Sequence, residues 1–325
     1  MANTESIIFL YKRANVPDPI IDNANAMVPN GFTFTFCEME TPDDDRRSLL
    51  ATADYAMAYG APFDDIDVAT KVKLLQLLSA GYDRYDLAAL RDAGIPVASN
   101  GGANAPTVAE HAILLMLSVY KKLPLHHDKM HEGEWLGLRE ALSMRELTGR
   151  RVGVVGFGKI GQIAARIAAR GFLASVVYYD VMDPPPEVVA EIGATKVSLE
   201  ELLETSDVVT LHTPLNDATR GLIDKPALER MKPTAILVNT SRGEIVNQAD
   251  LIAALDAGEI AGAGLDVFTP EPLEADSPLL GRDNVVVTPH TAGTTIDTWT
   301  RRLDFAFENI QRVAAGEAPT FVVNG

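Results

Sequence analysis

The chain has 325 residues, 47% of them hydrophobic and 22% charged, with 45 acidic against 28 basic side chains and a formal net charge of −17. That length exceeds what one hydrophobic core usually serves, so two domains are expected. The acidic balance lacks the basic surface that a phosphate backbone or an anionic membrane requires, and neither nucleic acid nor membrane is an expected partner.

The first hundred residues alternate short apolar runs (Ile7 to Leu10, Phe32 to Phe36, Tyr55 to Ala58, Leu74 to Leu78, Ile95 to Ala98) with polar, helix-like segments. Such alternation predicts a parallel sheet with crossover helices, an α/β fold. Cys37 falls in one of the strand-like runs and reads as a small core residue. Thr107 to Tyr120 reads as one long helix, with Glu110 near its start, Lys121-Lys122 at its end and Pro124 as its stop. Neither Ile7 to Leu10 nor Ala112 to Val119 has the length or flanks of a signal peptide or a membrane span, and the cytoplasm is the expected location. From Leu125 to Arg150 the chain carries His, Gly and Trp without clean periodicity, as an arm or surface excursion would. A second alternating block follows, with strands expected at Val152 to Val155, Val176 to Tyr179, Val208 to Leu211, Ile236 to Asn239, Gly262 to Asp266 and Val285 to Thr288. An amphipathic helix, Asp297 to Val313, is expected last.

Gly156-Phe157-Gly158-Lys159-Ile160-Gly161 stands between the first strand of that second block and a helix-like stretch, and Asp180 closes the next apolar run. The pattern fits the ADP half of a dinucleotide. Gly156 permits the tight turn, Gly158 lets the backbone approach a pyrophosphate, and Gly161 lets the helix pack closely on the sheet. The helix N-terminus presents unpaired N–H groups to the phosphates. A carboxylate at Asp180 accepts from a ribose 2′-OH and repels a 2′-phosphate, so NAD is the expected cofactor.

In a doubly wound sheet ligands lie beyond the carboxyl ends of the strands, and polar residues just after those ends are the candidates for chemistry. His290 is a side chain able to exchange a proton near neutral pH. Glu271 can bond its second ring nitrogen, and Arg242 offers a planar fork for a carboxylate. Taken singly, each has a plainer reading as a core histidine, a turn cap or a surface ion pair. Their coincidence after strands of one nucleotide sheet favours catalysis.

The chain resembles the D-isomer-specific 2-hydroxyacid dehydrogenase family. The likeness spans about Leu74 to Gly293 and rests on Leu78-Ser79-Ala80-Gly81-Tyr82-Asp83, Asn100 through Val108-Ala109-Glu110-His111, the glycine fingerprint with Asp180, His212-Thr213-Pro214-Leu215, Val238-Asn239-Thr240-Ser241-Arg242-Gly243, Gly264-Leu265-Asp266-Val267-Phe268 and Pro289-His290-Thr291-Ala292-Gly293. The resemblance implies that Arg242 binds the substrate carboxylate and carbonyl, that His290 donates the proton to the 2-oxo oxygen and that Glu271 tunes His290. It further implies that Asp266 holds the nicotinamide carboxamide, that His212, Thr213, Pro214, Thr240, Ser241 and Gly293 line the cofactor cleft, and that the Ser79-Ala80-Gly81 backbone cups the substrate carboxylate. By the same resemblance two doubly wound domains are expected: a Rossmann NAD domain (100–293) inserted into a flavodoxin-like substrate domain (1–99 with 294–325). A homodimer using 125–147 as its arm is implied too, and a small 2-oxo or 2-hydroxy acid as substrate. No metal is expected at His126, His127 and His131, which sit in the arm without an acid whose spacing completes a convincing ligand set.

Departures from the family pattern narrow the chemistry. Ala80 stands where phosphite-oxidising relatives carry lysine, and Glu271 where formate dehydrogenases carry glutamine. Trp299 stands where hydroxypyruvate-reducing relatives have arginine, which favours an apolar or small substrate side chain; packing of the last helix is the alternative role. Tyr59 is a second pocket candidate. Trp135 suits either a pocket cover or a core or dimer contact. The family also contains NADH-sensing corepressors, a binding role that stands as the alternative to catalysis.

Overall fold

The computed structural model describes residues 4–325, apart from the side chain of Arg139. The chain divides into two compact units, one of residues 1–104 and 294–325, the other of residues 105–293. Residues 100–104, expected in the nucleotide domain, cluster with the first unit.

In the first unit β1 (Glu5–Tyr11), β2 (Phe32–Glu38), β3 (Tyr55–Tyr59), β4 (Leu75–Leu77) and β5 (Val97–Ala98) form a parallel sheet in the order β2-β1-β3-β4-β5, the flavodoxin-like arrangement. Strand side chains alternate between its two faces. Ile7, Phe9 and Tyr11 enter one core with Trp299, Leu303 and Phe307 of the last helix, while Ile8 and Leu10 enter the other with Cys37 and Leu75. The last helix spans Ile296–Ala314 and is capped by Thr295, whose side chain accepts from the Thr298 N–H.

The second unit holds seven parallel strands where six were expected: β6 (Arg151–Val155), β7 (Ser175–Tyr179), β8 (Thr195–Lys196), β9 (Val208–Leu211), β10 (Ile236–Asn239), β11 (Gly262–Leu265) and β12 (Val285–Val287). The additional one, β8, is a two-residue edge strand with both residues exposed, so no apolar run marks it. The order β12-β11-β10-β9-β6-β7-β8 places the reversal of winding between β6 and β9, the point where such sheets bind nucleotides. Both faces are covered, which is why these strands read as continuous apolar runs. Val152, Val154, Ile236 and Val238 face one core; Val155, Leu211, Leu237 and Leu265 face the other.

The long helix is present as Ala105–Tyr120, but Pro124 does not end it. Lys122 turns the chain in a left-handed conformation (φ 49°), and Pro124 sits in the first turn of a new helix, Leu123–His131, where its missing N–H costs nothing. The expected excursion contributes this helix and a short one, Gly137–Ala141, to the structure, and no strand. Among the described residues no helix is long and apolar enough to cross a membrane, and no group of three or more His, Cys, Asp or Glu is placed to hold a metal ion.

Candidate active site

Register builds the site in the second unit. Val155 lies beside Tyr179 and Leu211, Leu211 beside Asn239, Asn239 beside Leu265, and Leu265 beside Val287. These residues form one row across the sheet. The residues that follow them, Asp180, Gly156, His212, Thr240, Asp266 and Thr288, therefore line a single carboxyl edge.

The fingerprint glycines answer to three different constraints. A Cβ on Gly156, at φ 90°, would stand 2.7 Å from the His212 carbonyl carbon and 2.8 Å from the Thr213 nitrogen, so the β6 turn touches the β9 loop backbone directly. A Cβ on Gly161 would lie 2.2 Å from the Gly156 carbonyl oxygen, which allows the helix Lys159–Phe172 its close approach to the strand. A Cβ on Gly158 would meet nothing within 4 Å. Open space there, at the N-terminus of that helix, is what a pyrophosphate needs. Asp180 accepts the Phe157 N–H on Oδ2 (2.6 Å) and the Met182 N–H on Oδ1 (2.8 Å), which ties the glycine turn to the end of β7.

Along the same edge, His212 Nδ1, Thr213 Oγ1 and Thr240 Oγ1 are sealed from solvent without a protein hydrogen-bond partner. Buried polar atoms are rarely left so. Three of them beside an open glycine turn fit a polar, phosphate-bearing cofactor. His212 Nε2 meets Thr210 Oγ1 at 3.0 Å, and burial pushes its pKa down to about 4, so this imidazole stays neutral at physiological pH.

The candidate catalytic residues come together across the loops after β10, β11 and β12. His290 Nδ1 lies 2.8 Å from Glu271 Oε2, and the other Glu271 oxygen accepts the Phe268 N–H at 3.1 Å. Burial works against the Glu271 charge, but the His290 hydrogen bond, the His290 and Arg242 charges and the Phe268 N–H outweigh it, holding the carboxyl below its usual range. An ionised Glu271 only accepts, so His290 Nδ1 carries the proton of the pair and Nε2 is left for proton exchange. The His290 side chain is 44% exposed.

Arg242 is held through its backbone. Its carbonyl accepts from Asn239 Nδ2 (2.8 Å), while Asn239 Oδ1 accepts from the Ser241 N–H (3.0 Å) and hydroxyl (2.7 Å). Arg242 Nη1 donates to the Ser241 carbonyl at 2.8 Å. Gly243 then passes so close to the next loop that a Cβ would lie 2.0 Å from the Phe268 carbonyl oxygen. The Arg242 and Glu271 loops are thus in backbone contact. Asn239, 1% exposed, is given no role by the sequence, although a polar residue that ends the apolar run Ile236 to Val238 is the signal that marks it.

Asp266 is 1% exposed and bound to its own neighbourhood. Oδ1 accepts from the Thr288 hydroxyl (2.6 Å) and the Thr291 N–H (2.9 Å), and Oδ2 from the Ala292 N–H (2.9 Å). The carboxylate clamps the loop that carries His290 and ends at Gly293.

The first unit presents a separate group. Ser79, Ala80 and Gly81 follow β4, partly exposed, with the Ser79 hydroxyl donating to the Gly81 carbonyl at 2.7 Å. Tyr59 ends β3, and its ring meets that of Trp299 edge-on at 4.6 Å between centroids. The Arg302 guanidinium lies 5.0 Å from the Tyr59 ring and 5.2 Å from the Trp299 ring. Trp299 is 3% exposed, so of the two roles weighed for it, packing of the last helix is the one these contacts describe.

A family model, D-isomer specific 2-hydroxyacid dehydrogenase, NAD binding domain, matches residues 113–292, more than half of the chain. The chain belongs to the D-isomer-specific 2-hydroxyacid dehydrogenase family. It is 39% identical over 260 residues to a glyoxylate reductase of Korarchaeum cryptofilum, across 79% of this chain and 78% of that one. To a hydroxypyruvate reductase of Blautia hydrogenotrophica it is 33% identical over 267 residues, 81% and 82% of the two chains. The holo form of Rhodotorula graminis D-mandelate dehydrogenase matches with a TM-score of 0.86 at 28% identity, covering 99% of this chain and 98% of that one. The protein is thus an NAD-dependent oxidoreductase of the D-2-hydroxyacid dehydrogenase type. The NADH-sensing alternative is not favoured by these relatives, which carry the names of enzymes.

Proposed function

We propose that this dehydrogenase works as a reductase of small 2-oxo acids with an apolar side chain, with Arg242, Glu271 and His290 as its catalytic residues. The observation that carries the reading is the His290–Glu271 contact of 2.8 Å on the loops beside Arg242. When bound, NADH would supply a hydride for C2 of the acid. Gly156, Gly158, Lys159, Ile160 and Gly161 would hold its pyrophosphate, and Asp180 the adenosine ribose. His212, Thr213, Pro214, Thr240, Ser241, Asp266 and Gly293 would line the remainder of its cleft.

The chain's own residues carry the other steps. Arg242 takes the substrate carboxylate bidentately and polarises the adjoining carbonyl. His290 gives its Nε2 proton to the oxygen that becomes the hydroxyl, and Glu271 stabilises the imidazolium form that holds this proton. In the first unit, the Ser79-Ala80-Gly81 backbone is proposed to bind carboxylate, and Tyr59, backed by Trp299, to favour an apolar substrate side chain.

A homodimer is part of the proposal. Met130, Trp135, Leu138 and Leu142 are 55%, 82%, 83% and 88% exposed within the segment assigned as the arm, which is how a chain-to-chain contact looks in a single chain. A particle of twice the 35.0 kDa chain mass in light scattering would agree with it, and a 35.0 kDa particle would overturn it. The cytoplasm is the proposed location.

The deciding experiment follows NADH oxidation with glyoxylate, hydroxypyruvate, pyruvate, phenylpyruvate and branched 2-oxo acids, with NADPH and an Asp180→Ala variant in parallel. Turnover is expected to be fastest with the apolar acids and with NADH, and Asp180→Ala to narrow the preference for NADH over NADPH. Preference for hydroxypyruvate would overturn the apolar pocket. Unchanged cofactor discrimination would remove Asp180 from the ribose site.

A further inference from the structure

His290 adopts a left-handed backbone conformation, φ 54°, that non-glycine residues seldom occupy. Such a conformation persists only where its surroundings over-determine it. Asp266 supplies most of that constraint. Its carbonyl accepts the His290 N–H at 2.8 Å, and its carboxylate accepts the Thr291 and Ala292 N–H groups on the far side of the same residue. The Thr288 carbonyl shares the His290 N–H at 3.0 Å, and the Thr288 hydroxyl lies 2.6 Å from Asp266 Oδ1.

Behind this clamp stands a second imidazole. The helix Ala105–Tyr120 lies against β11 so closely that a Cβ on Gly264 would come within 2.9 Å of the Leu115 Cβ. It carries His111, 16% exposed, with Nε2 2.9 Å from Thr288 Oγ1 and 3.7 Å from Asp266 Oδ1. Donor counting orders the chain of bonds. An aspartate carboxylate only accepts, so Thr288 spends its one proton on Asp266 and must accept from His111. His111 therefore presents Nε2–H, fixes the Thr288 hydroxyl in its rotamer and completes the clamp on the loop.

We propose that His111 is a positioning residue for the reaction, holding through Thr288 and Asp266 the strained loop that aims His290. The inference rests on the assignment of His290 as the acid, and it gives a role to His111 of the Val108-Ala109-Glu110-His111 motif, which the catalytic assignment leaves without one. His111→Ala removes the donor. His111→Gln restores an uncharged N–H donor on a side chain of similar reach.

The test uses the full-length protein labelled with 13C at the histidine ring carbons. It records the His290 ring resonance, identified with a His290→Gln variant, together with kcat, the KM for the best 2-oxo acid and the NADH dissociation constant. His111→Ala is expected to shift the His290 resonance and to lower kcat between about 10- and 100-fold, with NADH affinity little changed. His111→Gln should recover both. An unmoved His290 resonance in His111→Ala, or a His111→Gln variant as impaired as the alanine one, would overturn the proposal. If the alanine variant fails to fold, His111→Phe, which keeps a ring at that place and removes the donor, tests the same link and should shift the His290 resonance; an unmoved resonance would overturn the proposal. A wild-type protein that reduces no 2-oxo acid would sink the functional reading through the kinetic arm alone. The resonance arm would still decide whether His111 positions the loop.

Discussion

Glutamine in place of His290 is expected to lower kcat for 2-oxo-acid reduction by about 10²- to 10⁴-fold, the range that a positioned acid or base contributes. Glutamine can keep a hydrogen bond to Glu271, so the local structure survives. It has no titrating nitrogen, so no proton can be delivered from the place where Nε2 stood. The geometry makes the loss specific to chemistry. His290 lies on the loop after β12 with its Nδ1 committed to Glu271 at 2.8 Å, whereas the fingerprint turn and Asp180 lie at the ends of β6 and β7. NADH binding, followed by fluorescence, should therefore stay close to wild type. A His290→Gln protein with unreduced kcat would show that the proton comes from elsewhere.

Alanine in place of Arg242 is expected to lower kcat/KM on the order of 10- to 100-fold. The loss corresponds to a charge-assisted pair worth about 1.5–3 kcal/mol, at about 1.4 kcal/mol per tenfold. It should fall on both KM and kcat, because the same fork would hold the carboxylate and polarise the carbonyl. Lysine should recover only part of it, since an ammonium offers charge without the planar fork. The loop itself should survive the change: its position is set by Asn239, which bonds the Ser241 N–H and hydroxyl and the Arg242 carbonyl, and by Gly243 against the Phe268 carbonyl. Removal of the guanidinium also takes away one of the charges that keep Glu271 ionised. Wild-type kcat/KM in Arg242→Ala, measured beside the NADH dissociation constant, would reject this residue as the carboxylate ligand.

Most of the strand positions and the fingerprint turn were legible in the residues, each for a local reason, and Arg242, Glu271 and His290 stood out as candidates by their places after strand ends. Val152 to Val155 and Ile236 to Asn239 read as buried strands because a sheet covered on both faces needs an unbroken apolar run. The fingerprint was legible because only glycine tolerates the backbone approach now seen at Gly156 and Gly161. Where such local signals fail, so did the reading. β8 is two exposed residues with no pattern to detect. Pro124 suits a helix start as well as it suits a stop, and the left-handed turn at Lys122 decides between them. Trp299 carries no mark of its own environment: an indole against Tyr59 in a core and an indole facing a ligand have the same sequence.

Composition, apolar runs, glycines and charged residues after strand ends thus specified the α/β class, the dinucleotide turn and the candidate chemistry, because these depend on side-chain size and on neighbours a few positions away. The row that aligns Gly156, Asp180, His212, Thr240, Asp266 and Thr288 is a property of strand order and register. The bond from His111 to Thr288 joins residues 177 positions apart. A donor and an acceptor so distant in the chain are paired by the packing of a helix on a sheet, and nothing in either residue's own surroundings records its partner.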